Sequence, residues 1–155
     1  MGTTEMHPTI TIRDPLAADE QAWRQLWSGY NAFYEANVPE AVTARTWQRI
    51  LDPSSPIICR LAEVNASRPV GFSICVLHEG TWTVSPICYL EDLFVNPQFR
   101  LAGIGRCLMQ DVVDRARANQ WSRVYWHTRV GNPARRLYDK FAQADDFVRY
   151  RLLLQ

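Results

Sequence analysis

The sequence predicts an α/β domain, and three observations carry that prediction. Two runs rich in strand-forming residues, Ile57 to Val64 and Val70 to Leu77, are separated only by the polar turn Asn65-Ala-Ser-Arg-Pro69, which suits an antiparallel pair. A third run, Ile87 to Val95, stops at Asn96-Pro97 and is followed by Ile104, Leu108, Val112 and Ala116 at four-residue spacing, then by the strand-like Arg123 to Thr128. Strand, helix and strand in that order form a βαβ unit with a locally parallel pair.

The remaining elements fit around this frame. Ile10-Thr-Ile12 reads as a short strand. Asp19 stands where it would cap a helix carrying Trp23, Leu26, Trp27, Tyr30 and Phe33, and a second helix from Ala41 to Leu51 ends before Asp52-Pro53. Past the βαβ unit, Gly131-Asn132-Pro133 is a helix start, with Asn as cap and Pro at the first turn, and that helix runs to about Phe141. Phe147 to Leu154 reads as a closing strand.

The whole chain, residues 1–155, is expected to form one domain, because 155 residues with 47% hydrophobic content suffice for one core. Seventeen Lys and Arg against 16 Asp and Glu leave a net charge of +1, so bulk charge gives no reason to expect a nucleic-acid or membrane partner. Glu5, Asp14 and Asp19 interrupt the first twenty residues, so no secretory leader or membrane span is expected there and the predicted location is cytoplasmic. Cys59, Cys75, Cys88 and Cys107 lie singly in apolar segments, a pattern of reduced core thiols rather than a metal site.

The stretch Arg100-Leu-Ala-Gly-Ile-Gly-Arg106 joins the third strand to its helix. A helix N-terminus beside glycines exposes N–H groups to an anion, and the flanking arginines add charged donors. It lacks the third glycine of the dinucleotide fingerprint, since Leu108 stands there, and it lacks the Lys-Ser/Thr of a Walker loop. It does match Arg/Gln-x-x-Gly-x-Gly/Ala. With "YLEDLFV" (89 to 95) before it and Asn132-Pro-Ala-Arg-Arg-Leu-Tyr138 after it, the chain resembles the GNAT superfamily of acetyl-CoA-dependent N-acetyltransferases over most of its length. Within that superfamily it looks most like the diamine and polyamine acetyltransferases and the related small histone/polyamine branch.

The resemblance implies a mixed, mostly antiparallel sheet with helices on both faces, and acetyl-CoA as cofactor. By resemblance, the backbone of Leu93, Phe94 and Val95 receives the pantetheine arm where the strand splays from its neighbour at a bulge. Arg100, Leu101, Ala102, Gly103, Ile104, Gly105 and Arg106 then receive the pyrophosphate, and Asn132 lies near the arm. Leu101 and the Ala142-Gln-Ala-Asp-Asp146 stretch depart from the family pattern. Family members are commonly dimers, which implies a homodimer or higher homo-oligomer.

Acetyl transfer needs a neutral amine, and an alkylamine of pKa about 10.4 is neutral only about once in 2,500 molecules at pH 7. Glu91 is the candidate proton acceptor. Asp92 is a substrate-binding candidate, and since adjacent strand residues face opposite sides, at most one of the two should enter a given site. Tyr138 matches the family tyrosine that protonates the leaving thiolate, which requires a lowered tyrosine pKa or a hydrogen bond made in the transition state. Tyr30, Tyr34, Glu35 and Glu40 are candidates for an amine pocket by cation–π contact and charge. His127 is offered as a further base, and Arg135, Arg136 and Lys140 as partners of the 3′-phosphate or as a solvated face. The expected acceptor is a small diamine or polyamine. Peptide or protein amines are one alternative, and a non-catalytic CoA-binding module is another.

Overall fold

A computed structural model describes residues 7–100 and 102–154. Leu101 lies outside them, so its expected part in the loop is not described. Five strands form one sheet in the order β1 (Ile10–Arg13), β2 (Ile57–Val64), β3 (Pro69–Gly80), β4 (Thr83–Val95) and β5 (Arg123–Tyr125). The first three pairings are antiparallel and β4–β5 is parallel. The expected mixed, mostly antiparallel sheet is therefore present.

Helices α1 (Glu20–Phe33) and α2 (Glu40–Leu51) cover one face, and α3 (Ile104–Ala118) covers the other. Trp23, Leu26, Trp47 and Ile50 from α1 and α2 pack on Leu61, Phe72, Ile74 and Phe94. Met109 and Val112 of α3 pack on Cys75, Cys88 and Leu90, while Ile104 and Leu108 pack on Ala62 and Val70. Leu61 and Ala62 are adjacent yet serve opposite cores, as the two-residue period of a strand covered on both faces demands. Arg60 ties β2 to α3 through paired bonds to Asp111, both 3.0 Å long.

One surplus residue governs β4. Cys75 pairs with Leu90 and Ile74 with Asp92, which leaves Glu91 as a β-bulge without a partner on β3. The bulge shifts the phase of the strand. Cys88 and Leu90 face α3, whereas Phe94 faces α1 and α2, although unbroken alternation would put all three on one side.

Several elements differ from expectation. The third strand starts at Thr83 rather than Ile87 and forms a long hairpin with β3, whose exposed tip includes Trp82. Asp19 precedes α1 but does not cap it: its carboxylate accepts two bonds of 2.8 Å from Arg13 and one of 2.7 Å from the Leu16 N–H. The strand from Arg123 ends at Tyr125, because β4 diverges after Tyr89 pairs with it. The helix after Pro133 is reduced to α4 (Arg135–Tyr138), flanked by turns that close on i+3 bonds such as Arg135 N–H to Asn132 C=O at 3.1 Å. Residues 147–154 form no strand, since β5 is only three residues long; Phe147, Val148, Tyr150, Leu152, Leu153 and Leu154 remain exposed. Cys59, Cys75 and Cys88 are buried free thiols and Cys107 is a half-buried one.

Candidate active site

The parallel β4–β5 ladder ends at Tyr89–Tyr125, so β4 from Leu90 onward has no partner on that side. A wedge opens there, just ahead of the bulge. Its floor is a narrow cleft lined by Tyr30 and Tyr34 of the α1 end, Glu91 and Leu93 of β4, His127 beyond β5, and Tyr138 of α4. Glu91 and Tyr138, paired in the sequence as base and acid, thus share one cleft.

Glu91 also borders a second space. A cavity of about 450 Å³ lies between the sheet and helices α1 and α2, and both Glu91 and Asp92 line it. The expectation that only one of these neighbours could face a site is corrected: a bulge presents consecutive residues to the same side. Asp92 is buried, which pushes its carboxyl up to about 7; the Tyr30 hydroxyl opposes that rise and the charge of Glu91 adds to it. Burial likewise drives the Tyr30 hydroxyl upward.

Tyr138 is packed edge-on against Trp126, with ring centroids 5.7 Å apart. Burial pushes its hydroxyl up to about 12. Of the two routes open to an acid tyrosine, a lowered pKa is not found. Full proton transfer to a thiolate of ordinary pKa about 8.5 is uphill by roughly 5 kcal/mol, so hydrogen-bond donation is the route left to it.

The loop at the start of α3 fits a phosphate-bearing ligand. Gly103 has φ 82°, a left-handed backbone that favours glycine, and a Cβ there would touch nothing, so the approach is open. No side chain caps the helix, leaving its first-turn N–H groups as anion donors. Gly105 is close to a neighbour instead, since a Cβ would sit 3.2 Å from Leu137. Ala102 and Arg106 are exposed, while Ile104 is a core side chain. Arg100 donates to the Val95 carbonyl at 3.2 Å and lies against the rings of Phe33 and Phe94, which orients its guanidinium along the end of β4. Leu93 and Val95 are partly buried and Phe94 is in the core, so backbone is what this strand offers to the wedge.

Asn132 is tied down locally. Its side-chain oxygen accepts from the Ala134 N–H at 3.0 Å and its amide donates to Thr128 at 2.8 Å, which makes it the cap of the turn into α4. His127 is exposed and its ring stands 3.4 Å from the Tyr89 hydroxyl. Two predicted amine contacts are corrected. Glu35 lies beyond the end of α1, exposed, at φ 52°, and lines neither space. Glu40 is exposed and paired with Arg24 at 2.8 Å. Arg135 is turned toward the Val130 carbonyl at 3.0 Å, and Arg136 and Lys140 are exposed.

Comparison with known proteins agrees with this architecture. Residues 23–142 match the acetyltransferase (GNAT) family. The chain belongs to that family and is an acetyl-CoA-dependent N-acetyltransferase. It is 33% identical, over 144 residues covering 92% of this chain and 89% of the relative, to the D-amino-acid N-acetyltransferase HPA3 of Saccharomyces cerevisiae. Among solved structures, a probable acetyltransferase superposes with a TM-score of 0.80 at 18% identity, covering 95% of this chain and 98% of that one. The ribosomal-protein-alanine N-acetyltransferase of Brucella melitensis biovar Abortus 2308 gives 0.79 at 21% identity, over 94% and 99%. At these identities the two structures speak for the fold alone.

Sequence reasoning missed one residue of the larger cavity. Arg49, in the last turn of α2, lines it together with Asp92. A basic residue near a helix C-terminus ordinarily reads as favourable to the helix dipole, and no sequence signal separates the two cases.

Proposed function

We propose that this domain acetylates the amine of a small amino acid, most closely a D-amino acid, with the acceptor entering through the cavity beside α2. The observation that carries the reading is Glu91: the bulge makes it the one acidic side chain common to that cavity and to the cleft that holds Tyr138. The relative acting on D-amino acids, 33% identical, supports the acceptor class. A diamine or polyamine, the acceptor expected from the sequence, would leave Arg49 without a counter-ion, which favours a carboxylate-bearing acceptor instead.

The cofactor, when bound, supplies an acetyl thioester. The backbone of Leu93 to Val95, which has no partner on the β5 side, would receive its arm, and Gly103, Gly105, Arg100 and the α3 N-terminus would hold its phosphates. Asp92 in its ionised form holds the incoming ammonium. Glu91 takes the proton as the amine becomes a nucleophile, directly or through one water. Tyr138 would offer its O–H at the position of the leaving sulfur and keep its own proton, while the second N–H proton, lost as the adduct collapses to the amide, passes to the departing thiolate, whose ordinary pKa of about 8.5 accepts it. Asn132 fixes the turn that presents Tyr138.

The same reading makes the chain one acetyltransferase domain in a homo-oligomer, in which a second copy covers the exposed apolar residues of 147–154. Its free thiols suit a reducing compartment such as the cytoplasm.

The test is thiol release from acetyl-CoA across D-amino acids, L-amino acids, diamines and peptides. Release stimulated by D-amino acids at least tenfold above diamines is expected. Stimulation by diamines or peptides alone would overturn the acceptor assignment.

A further inference from the structure

We propose that Arg49 is the carboxylate receptor of the acceptor cavity, the group that selects an amino acid over a plain amine. The proposal rests on the reading of the cavity as the acceptor's entrance. Three observations meet at this residue. First, Arg49 lines the same cavity of about 450 Å³ as Asp92 and Glu91, so a cation and two carboxylic groups border one space that opens to solvent. A zwitterion has the complementary pattern, with an ammonium and a carboxylate on one carbon.

Second, the guanidinium has donors to spare. Among the described residues Arg49 makes no ion pair, so its charge is not committed to Glu91, Asp92 or any other carboxylate. Its Nη2 donates to the Thr46 hydroxyl at 3.3 Å, and its Nε is buried with no partner. The outer guanidinium nitrogens, rather than the enclosed Nε, are the donors that a carboxylate entering the cavity would meet. The planar fork of arginine also matches two carboxylate oxygens at once.

Third, the walls between the charged groups are apolar. Trp27, Val42, Ile57 and Val76 line the same space, and a hydrophobic amino-acid side chain would fill it. Where apolar walls remove part of the water, a charge without a partner is disfavoured. An amine lacking a carboxylate, a diamine included, brings no counter-ion for the Arg49 guanidinium.

The experiment compares wild type, Arg49→Lys and Arg49→Gln on a hydrophobic D-amino acid and on its carboxamide, which keeps the amine and loses the anionic group. Losing a charge-assisted pair should raise KM for the acid about 10- to 100-fold in Arg49→Gln, with kcat changed far less and a much smaller KM effect on the carboxamide. Arg49→Lys should fall between, since it keeps charge without the fork. Thermal melts of the variants report any folding defect separately.

Equal losses on acid and carboxamide, or no loss on either, would overturn the receptor assignment while leaving the amino-acid reading intact. If wild type acetylates no amino acid, that reading fails by itself. In that event propionate is the probe: a shift of the Arg49 Nε–H resonance in wild type, with no propionate binding by Arg49→Gln, still supports the receptor, and no binding to wild type overturns it.

Discussion

Glu91 and Tyr138 line one cleft, the first delivered by a bulge in β4 and the second by the short helix α4. Glu91 lies on β4 just past the point where the β4–β5 ladder stops at Tyr89, and the cleft opens there. The two side chains proposed as proton acceptor and hydrogen-bond donor are thereby brought to one cleft from 47 residues apart in the sequence.

Tyr138→Phe should lower turnover about 10²-fold while leaving CoA affinity nearly unchanged, because the ring is kept and only the O–H is lost. Steady-state kinetics with CoA titration check both halves. Since the native hydroxyl stands at about 12, no alkaline limb from Tyr138 should appear in the wild-type pH profile below pH 10.

Glu91→Gln should reduce kcat by about 10²- to 10³-fold at pH 7. Raising the pH should restore part of the rate, because more of the amine then arrives already neutral. A variant whose deficit is constant from pH 7 to pH 9.5 would show that Glu91 is not the proton acceptor.

Asp92 couples stability and substrate affinity to pH in opposite directions. Its folded pKa of about 7 lies above the unfolded value near 3.8, so the folded state holds the proton between these limits. The stabilisation from this group is complete below about pH 4 and is lost as pH rises through about 7, a change of roughly 4 kcal/mol. Asp92→Asn should remove that slope, so its stability advantage over wild type should widen from pH 4 to pH 8 in denaturant titrations. Over the same range wild-type KM should fall as the carboxylate forms, and in Asp92→Asn it should stay high at every pH.

Gly103→Ala tests the loop without crowding it. Its positive φ strains any other residue by roughly 1–2 kcal/mol, yet an added Cβ has open space. The expected outcome is a modest loss of stability together with weaker CoA binding, measured by calorimetry, and an unchanged kcat at saturating donor.

The sequence carried much of this site because its signals are local. A four-residue rhythm marks α3, glycines mark the turn before it, and Asn132-Pro133 marks the turn into α4; each depends on nearby backbone chemistry. The bulge is different. It is visible only in the pairing of β4 with β3, so alternation along "YLEDLFV" wrongly set Glu91 against Asp92. Arg49 was illegible for a similar reason, since its place on the cavity depends on α1, β2, β3 and β4, which border the same space. Glu35 and Glu40 failed as pocket residues because a charge near aromatic neighbours in sequence need not point with them; one ends a helix and the other serves Arg24. The closing strand at 147–154 failed because strand propensity needs an edge to pair with, and β5 offers three residues.

The bulge also means that architecture and chemistry differ in this domain by the length of a single codon. With Glu91 deleted, Leu90 and Asp92 become neighbours, opposite Cys75 and Ile74 just as before, and both cores keep their side chains. Such a chain is expected to fold into the same sheet, with a smoother ladder and without the carboxylate proposed as proton acceptor. Loss of activity by in-frame deletion is therefore open to this lineage without loss of the scaffold, whereas regaining it requires an insertion at one point in the strand.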